Sequence, residues 1–322
     1  MTLRASQAGP SFDAVIERKE TVADGVVELV MRTHDGADLP VWEPGSHIDL
    51  VFGDGLVRQY SLCGEPGDRR SIRVAVLRAP DGRGGSAFVH DRLAVGDAIT
   101  LRGPRNNFRL VDADRYLFVA GGIGITPLLP MLRSVNARSV PWRLAYGGRT
   151  RASMAYADDL MKDHPGSVEI LPEDETGLLP LDRILRDADD RTAVYCCGPE
   201  PLLSAVEQMC ARFSIGNLNV ERFAPRADAE AAPTTSFEIE LFSSGRTLQV
   251  GPDESILDVL ERAGVPVDSS CREGTCATCE TGVVAGVPDH RDAVLNESER
   301  SENKTMMICV SRCQGLRLVL DV

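Results

Sequence analysis

The 322-residue sequence has no apolar run near the roughly 18 residues that cross a bilayer, so no membrane span or membrane partner is expected. Basic residues are too few for a nucleic-acid partner: 35 Lys+Arg stand against 48 Asp+Glu, a net charge of −13. Histidine is scarce as well. With five in the chain and only His290 near the cysteine-rich stretch, no Rieske-type pair of histidine ligands can form there. Nor is there the histidine–carboxylate iron site that oxygen activation would need. Residues 1–10 lack the apolar core of an export leader and read as a loose tail, which points to a cytoplasmic protein. Without export, nine cysteines signify metal or redox chemistry rather than a disulfide framework.

Those cysteines are unevenly placed. Residues 271–279 read Cys-Arg-Glu-Gly-Thr-Cys-Ala-Thr-Cys, and a further thiol follows at Cys309. C-x4-C-x2-C with a distant fourth cysteine is the plant-type [2Fe–2S] spacing. A structural zinc site usually pairs its ligands in two short clips, which this pattern does not. Cys271, Cys276, Cys279 and Cys309 are the expected ligands, with Cys313 a rival for the fourth place. Cys309 is preferred because the apolar run 306–310 would hold it on a buried strand. The short spacing suggests Cys276 and Cys279 on one iron, with Cys271 and Cys309 on the other.

Upstream, residues 11 to about 109 show strand-like segments at 12–20, 26–33, 47–52 and 71–78, punctuated by Gly- and Pro-containing turns, a small β-barrel pattern. Arg58-Gln59-Tyr60-Ser61-Leu62 carries a cation, an aromatic ring and a hydroxyl on one extended segment. Gly82-Arg83-Gly84-Gly85-Ser86 precedes a predicted helix at 87–92, leaving backbone N–H groups free for a phosphate. Either motif also occurs as an ordinary strand or turn. From 112 to 223 the pattern alternates strand and helix, as in a parallel sheet. An apolar strand at 116–120 runs into Gly121-Gly122-Ile123-Gly124-Ile125-Thr126-Pro127 and then a helix, the context of a phosphate-binding loop. Cys196-Cys197-Gly198-Pro199 ends a later strand, where ligands bind in open α/β sheets. Residues 225–234 read as a linker, and the remaining segment carries 15 acidic against 8 basic residues from 234 onward, a surface suited to steering toward a basic partner.

Taken together, these motifs, with Glu221-Arg222-Phe223 and Pro288-Asp289-His290-Arg291-Asp292, make the chain resemble the phthalate dioxygenase reductase and vanillate O-demethylase reductase type. The resemblance implies a β + α/β + α+β multidomain fold. Its parts would be an FMN-binding β-barrel (1–110), a ferredoxin-reductase-type nucleotide domain with a parallel sheet (111–224) and a β-grasp plant-type ferredoxin domain (235–322). It implies that Arg58, Tyr60 and Ser61 hold FMN, with Val76 and Leu77 against the ring and Gly84, Gly85 and Ser86 on the phosphate. Phe223 would lie near the isoalloxazine. Gly121, Gly122, Gly124, Thr126, Gly198 and Pro199 would place the dinucleotide, with Cys197 and Glu221 near the nicotinamide and flavin N5.

Two departures stand out. Ala277 occupies a position where such proteins usually have glycine, and the segment 146–151 offers Arg149 and Arg151 but no acid for a ribose 2′-hydroxyl. NADH is the donor the resemblance implies; NADPH stays open. The expected relay runs NADH to FMN to [2Fe–2S] to a separate Rieske-type oxygenase that docks transiently through charge. A cytochrome P450 acceptor and a non-enzymatic redox sensor are the alternatives.

Overall fold

The computed structural model describes residues 9–53, 56–80, 82–225 and 234–322; the expected tail falls mostly outside them, as does nearly all of the expected linker. Gly9–Glu221 forms one compact unit and Arg222–Val322 belongs to another.

The first unit starts with a six-stranded antiparallel sheet of β1 (Ser11–Ala23), β2 (Val26–Thr33), β3 (Ser46–Val51), β4 (Val57–Ser61), β5 (Ile72–Leu77) and β6 (Ala98–Asn106). Their order is β4-β3-β6-β1-β2-β5, and a bridge from Leu62 to Val74 brings the two edges together, closing the sheet into a barrel. Period-two alternation decides what lies inside: Ile72, Val74 and Val76 are buried with Ile16, Leu29, Ile48, Leu50 and Leu101, and Arg73 points outward. The helix Gly85–Asp91 follows β5, starting from Gly84 at φ 85°, a left-handed conformation that glycine adopts without steric cost.

The chain then makes five parallel strands, β7 (Arg115–Gly121), β8 (Trp142–Gly148), β9 (Val168–Pro172), β10 (Thr192–Cys197) and β11 (Leu218–Glu221), in the order β11-β10-β7-β8-β9. Every residue of β10 is buried, because helices cover both faces of such a sheet. β7 lies between β8 and β10, so the chain switches direction across the sheet at its carboxyl edge.

In the second unit, β12 (Phe237–Leu241), β13 (Thr247–Val250), β14 (Glu280–Ala285), β16 (Thr305–Met307) and β18 (Arg317–Leu320) form a mixed sheet in the order β13-β12-β18-β14-β16. β15 (Pro288–Asp289) and β17 (Arg312–Cys313) pair separately. The helix Ile256–Arg262 buries Ile256, Leu257, Val259 and Leu260 in one core with Ile239 and Leu318, a β-grasp arrangement. Its start is fixed by a capping box in which Ser255 and Asp258 satisfy each other's backbone N–H. No helix among the described residues is long and apolar enough to cross a membrane.

Candidate functional site

On the barrel, β4 presents the Arg58 and Tyr60 region beside the glycine turn. Arg58 donates to Val57 O at 2.8 Å and to Arg83 O at 2.6 Å, so its guanidinium lies over the entry to the helix Gly85–Asp91. The close approach requires glycine: a Cβ on Gly85 would stand 2.4 Å from Arg58 Cγ. A cation beside free helical N–H groups suits a phosphate. Ser86 Oγ accepts the N–H of Ala79 at 3.1 Å, leaving its own hydroxyl proton available. The phenol of Tyr60 is pushed up to about 12 by burial, with Arg58 opposing, so it stays a neutral hydroxyl.

Val76 and Leu77 separate here. Val76 faces the barrel core at 1% exposure and its carbonyl takes His90 Nε2 at 2.9 Å, whereas the side chain of Leu77 is 42% exposed.

At the carboxyl edge of the parallel sheet two glycine loops meet backbone to backbone. A Cβ on Gly124 would fall 2.2 Å from Cys197 O, and one on Gly121 2.7 Å from Pro199 Cδ. Gly121, Gly122, Gly124, Gly198 and Pro199 therefore assemble at the ends of β7 and β10. A short 3₁₀ turn, Gly122–Ile125, precedes the helix Leu128–Ala137. Thr126 is buried and its hydroxyl donates to Ile123 O at 2.9 Å, so it braces its own turn.

Cys197 pairs in register with Glu221 of β11. Glu221 is half-buried with its carboxyl turned away from solvent, and desolvation pushes that carboxyl up to about 8, with a hydrogen bond from Ser61 of the barrel acting against it. Its Oε2 has no hydrogen-bond partner. Burial foremost, then the Glu221 charge, holds the Cys197 thiol well above its ordinary value, so it is no ready thiolate. Ser61, Cys197 and Glu221 thus converge where barrel and sheet meet. An orphaned buried carboxyl oxygen there fits a ring that brings a hydrogen-bonding edge. Phe223, 46% exposed, belongs to the other unit.

Sequence reasoning missed a second link between barrel and sheet. Tyr156 adopts φ 63°, and its hydroxyl donates to Glu28 Oε2 at 2.9 Å, while Arg18 holds Glu28 Oε1 at 3.2 Å. Arg133 adds bonds to Cys63 O at 2.9 Å and Gly64 O at 2.7 Å. Nothing in a Tyr or Glu codon pattern announces such a strut, since a bulky residue at positive φ is rare.

In the second unit, Cys271, Cys276, Cys279 and Cys309 are all buried. Thiol contacts join Cys271 to Cys276 and to Cys309, and Cys309 to Cys279. Cys271 is held well below its ordinary value by those donors, and Cys276 and Cys309 are raised correspondingly. Backbone N–H groups of Glu273 and Thr275 reach Cys271 Sγ at 3.3 and 3.4 Å, and Cys271 N reaches Cys276 Sγ at 3.5 Å. Such donors suit anionic sulfur and fit a cluster. No three His, Cys, Asp or Glu side chains among the described residues converge as ligands of a single ion. The thiol contacts include the Cys271/Cys309 pair that spacing suggested, together with Cys271/Cys276 and Cys279/Cys309.

Cys309 sits in the turn after β16, not on a strand: the strand ends at Met307, whose carbonyl takes Val310 N at 3.2 Å and Ser311 N at 2.9 Å. Cys313 lies on β17 and accepts Gly315 N at 3.2 Å. Gly274, at φ 70°, lets the loop close, for a Cβ there would meet Val310 Cγ2 at 2.6 Å and Asp292 Cα at 3.0 Å. Buried Asp292 accepts Val294 N and Leu295 N through Oδ1, at 2.9 and 2.7 Å, which gives the 288–292 motif a bracing role behind that loop. Arg272, at φ 57°, ties the loop to the helix Ile256–Arg262 through Asp258 at 2.9 Å and Glu261 at 2.5 Å. Ala277 also stands at positive φ, 59°, a conformation that favours glycine.

Comparison with known proteins places these features in context. A family model described as "2Fe-2S iron-sulfur cluster binding domain" matches residues 239–314, and one described as "Oxidoreductase NAD-binding domain" matches residues 118–208. Phenoxybenzoate dioxygenase subunit beta of Ectopseudomonas oleovorans is 40% identical over 93% of this chain and 94% of its own length. The solved structure of phthalate dioxygenase reductase, described as modular for electron transfer from pyridine nucleotides to [2Fe–2S], is 35% identical with a TM-score of 0.71, covering 97% of this chain and 98% of that one. An intact type IV self-sufficient cytochrome P450 monooxygenase is 41% identical with a TM-score of 0.88, covering all of this chain, which spans 43% of that longer protein.

Proposed function

The chain belongs to the phthalate dioxygenase reductase family, and from that membership we propose that it is the reductase component of a two-component aromatic-ring oxygenase or O-demethylase, delivering electrons to a separate terminal oxygenase of Rieske type. It is an NAD(P)H-dependent oxidoreductase that uses FMN and a [2Fe–2S] cluster. The observation that carries the reading is the presence, in one chain, of a barrel corner for a phosphate, a glycine-lined sheet edge and four buried thiols.

When bound, the flavin converts the electron pair of a hydride into the single electrons an iron–sulfur cluster accepts. The residues serve that conversion by position. Arg58 and the N–H groups after Gly84 hold the phosphate, and Leu77 and Tyr60 flank the ring. Gly121, Gly122, Gly124, Gly198 and Pro199 keep side chains out of the space where the dinucleotide lies. Glu221, protonated at neutral pH, holds a proton on its carboxyl beside Ser61, and Cys197 fills the nicotinamide side as a neutral thiol. Thr126 supports the loop. Cys271, Cys276, Cys279 and Cys309 would hold the [2Fe–2S] cluster. The proposed domain limits are 1–110, 111–224 and 235–322, joined by 225–234, and the proposed setting is the cytoplasm, where reducing conditions keep thiols free.

Docking to the oxygenase is transient and steered by the acidic surface after residue 234. A P450 acceptor is the second reading, favoured by the TM-score of 0.88 to 43% of a self-sufficient cytochrome P450 monooxygenase. Reduction of purified Rieske oxygenases and P450s by the chain separates the two. Anaerobic titration with NADH and with NADPH, followed by absorbance and paramagnetic resonance, tests the relay itself. Bleaching of yellow and brown chromophores with appearance of a reduced-cluster signal is expected. A protein that stays colourless after reconstitution overturns it.

A further inference from the structure

Tyr156 is a bulky residue in a left-handed backbone conformation, and Glu28 is a carboxyl group in an apolar seam. We propose that together they are a positioning pair for hydride transfer, setting how the flavin-bearing barrel is aligned against the dinucleotide loop. The proposal rests on the flavin and nucleotide reading above and adds two residues outside the glycine loops and the barrel corner.

Both features are unfavourable on their own. At φ 63° the Cβ of Tyr156 crowds its own backbone, a conformation that few residues other than glycine adopt. Glu28 is 7% exposed and lies opposite Ala75 of β5. Ala75, Val26 and Cys63 of the barrel share one buried core with Ile125, Leu128 and Ala155 from the sheet side. A carboxyl group taken out of water there needs partners. It has them: the Tyr156 hydroxyl donates to Oε2 at 2.9 Å, and Arg18 holds Oε1 at 3.2 Å. Burial foremost, then Cys63 and Glu28, hold the phenol far above its ordinary value, so it keeps the proton it donates. Backbone strain that the surroundings enforce concentrates at the working parts of a protein.

The two ends of the pair lead to the two half-sites. On the barrel, β2 carries Glu28 and pairs with β5, where Val26 faces Leu77, the residue set beside the ring. On the sheet side Tyr156 follows Ala155, whose carbonyl shares the hydroxyl of fully buried Tyr146 with Gly122 O, each at 3.1 Å. Gly122 belongs to the dinucleotide loop. Bonded groups therefore run without a break from Leu77 through the β5–β2 pairing, Glu28, Tyr156, Ala155 and Tyr146 to Gly122. Other ties hold the two halves together independently: Asp24 N donates to Ala152 O at 2.8 Å, and Arg133 to Cys63 O and Gly64 O at 2.9 and 2.7 Å. Cutting the Tyr156–Glu28 bond should therefore leave the halves docked and disturb their alignment.

Anaerobic rapid mixing of the flavin- and cluster-loaded protein with increasing NADH separates nucleotide affinity from the limiting rate of flavin bleaching. Tyr156→Phe keeps the ring in the core and removes only the hydroxyl. It should lower the limiting rate about tenfold, the scale of a small misplacement of reacting groups, with NADH affinity and FMN retention held to within about twofold. Glu28→Gln can still hydrogen-bond the phenol and should keep the limiting rate to within about twofold of the unaltered protein. Glu28→Ala should match Tyr156→Phe, and the two combined should fall no further than either alone. A limiting rate unchanged in Tyr156→Phe, with only the urea midpoint lowered, overturns the proposal, since a merely structural tie would behave in that way. Loss of NADH affinity alone, or single losses that multiply in the combined variant, also overturns it. Should Tyr156→Phe not fold, the contrast between Glu28→Gln and Glu28→Ala decides, and equal limiting rates in those two refute the pair. No bleaching of the unaltered protein is a separate result: it removes the nucleotide-to-flavin reading, and the proposal with it.

Discussion

Replacing Glu221 by glutamine tests whether the barrel–sheet junction holds a protonated acid. Burial raises this carboxyl from 4.5 to about 8 in the folded chain. A raised value means that protonation favours the native state: the contribution is complete below about 4.5 and is lost as pH climbs through about 8. Between pH 7 and pH 9 the linkage relation gives a loss of about 1.4 kcal/mol from this one group. Glutamine keeps the shape and an oxygen for Ser61 but cannot ionise, so Glu221→Gln should lose none of that increment. Urea unfolding at both pH values supplies the measurement. The only two tryptophans, Trp42 and Trp142, both lie in the Gly9–Glu221 unit, so their fluorescence reports on it directly. Other titrating groups are common to both proteins and cancel in the difference. Equal pH dependence in the two proteins would refute the buried-acid argument, because an acid that ionises freely at pH 7 contributes no such slope.

Three further outcomes follow from the geometry. Cys309→Ser should lose the cluster's paramagnetic signal while flavin-dependent ferricyanide reduction persists; Cys313→Ser should keep the signal, and the reverse result would move the fourth ligand. Gly85→Ala places a methyl 2.4 Å from Arg58 Cγ and should weaken FMN retention about tenfold, roughly the 1.4 kcal/mol of one displaced charged contact, read by equilibrium dialysis. Gly274→Ala combines a left-handed φ of 70° with a 2.6 Å contact to Val310 and should cost about 2 kcal/mol or more, seen as thermal bleaching of the cluster several degrees lower. Unchanged bleaching would show that the loop relaxes freely.

Much of this architecture was readable in the residues because it depends on period and spacing. Alternation in 72–76 marks a barrel strand, the apolar run 116–120 a central parallel strand, and C-x4-C-x2-C an iron–sulfur loop. What stayed hidden depends on contacts between distant segments. Alternation alone does not say which face of β5 looks inward; Val76 lies in the barrel core. An apolar run around Cys309 suggested a strand, but a buried turn has the same composition, and Met307 ends the strand by accepting two turn hydrogen bonds. The Tyr156–Glu28 strut joins positions 128 residues apart with no local pattern in either.

The hydrogen bond between Ser61 and Glu221 has a bearing on synthesis and on truncation. Its two halves are contributed by an early strand and by the last strand of the parallel sheet, so a growing polypeptide owns the glycine loops well before it owns the acid. A shortened product ending ahead of residue 218 would keep both loops and leave the serine bare.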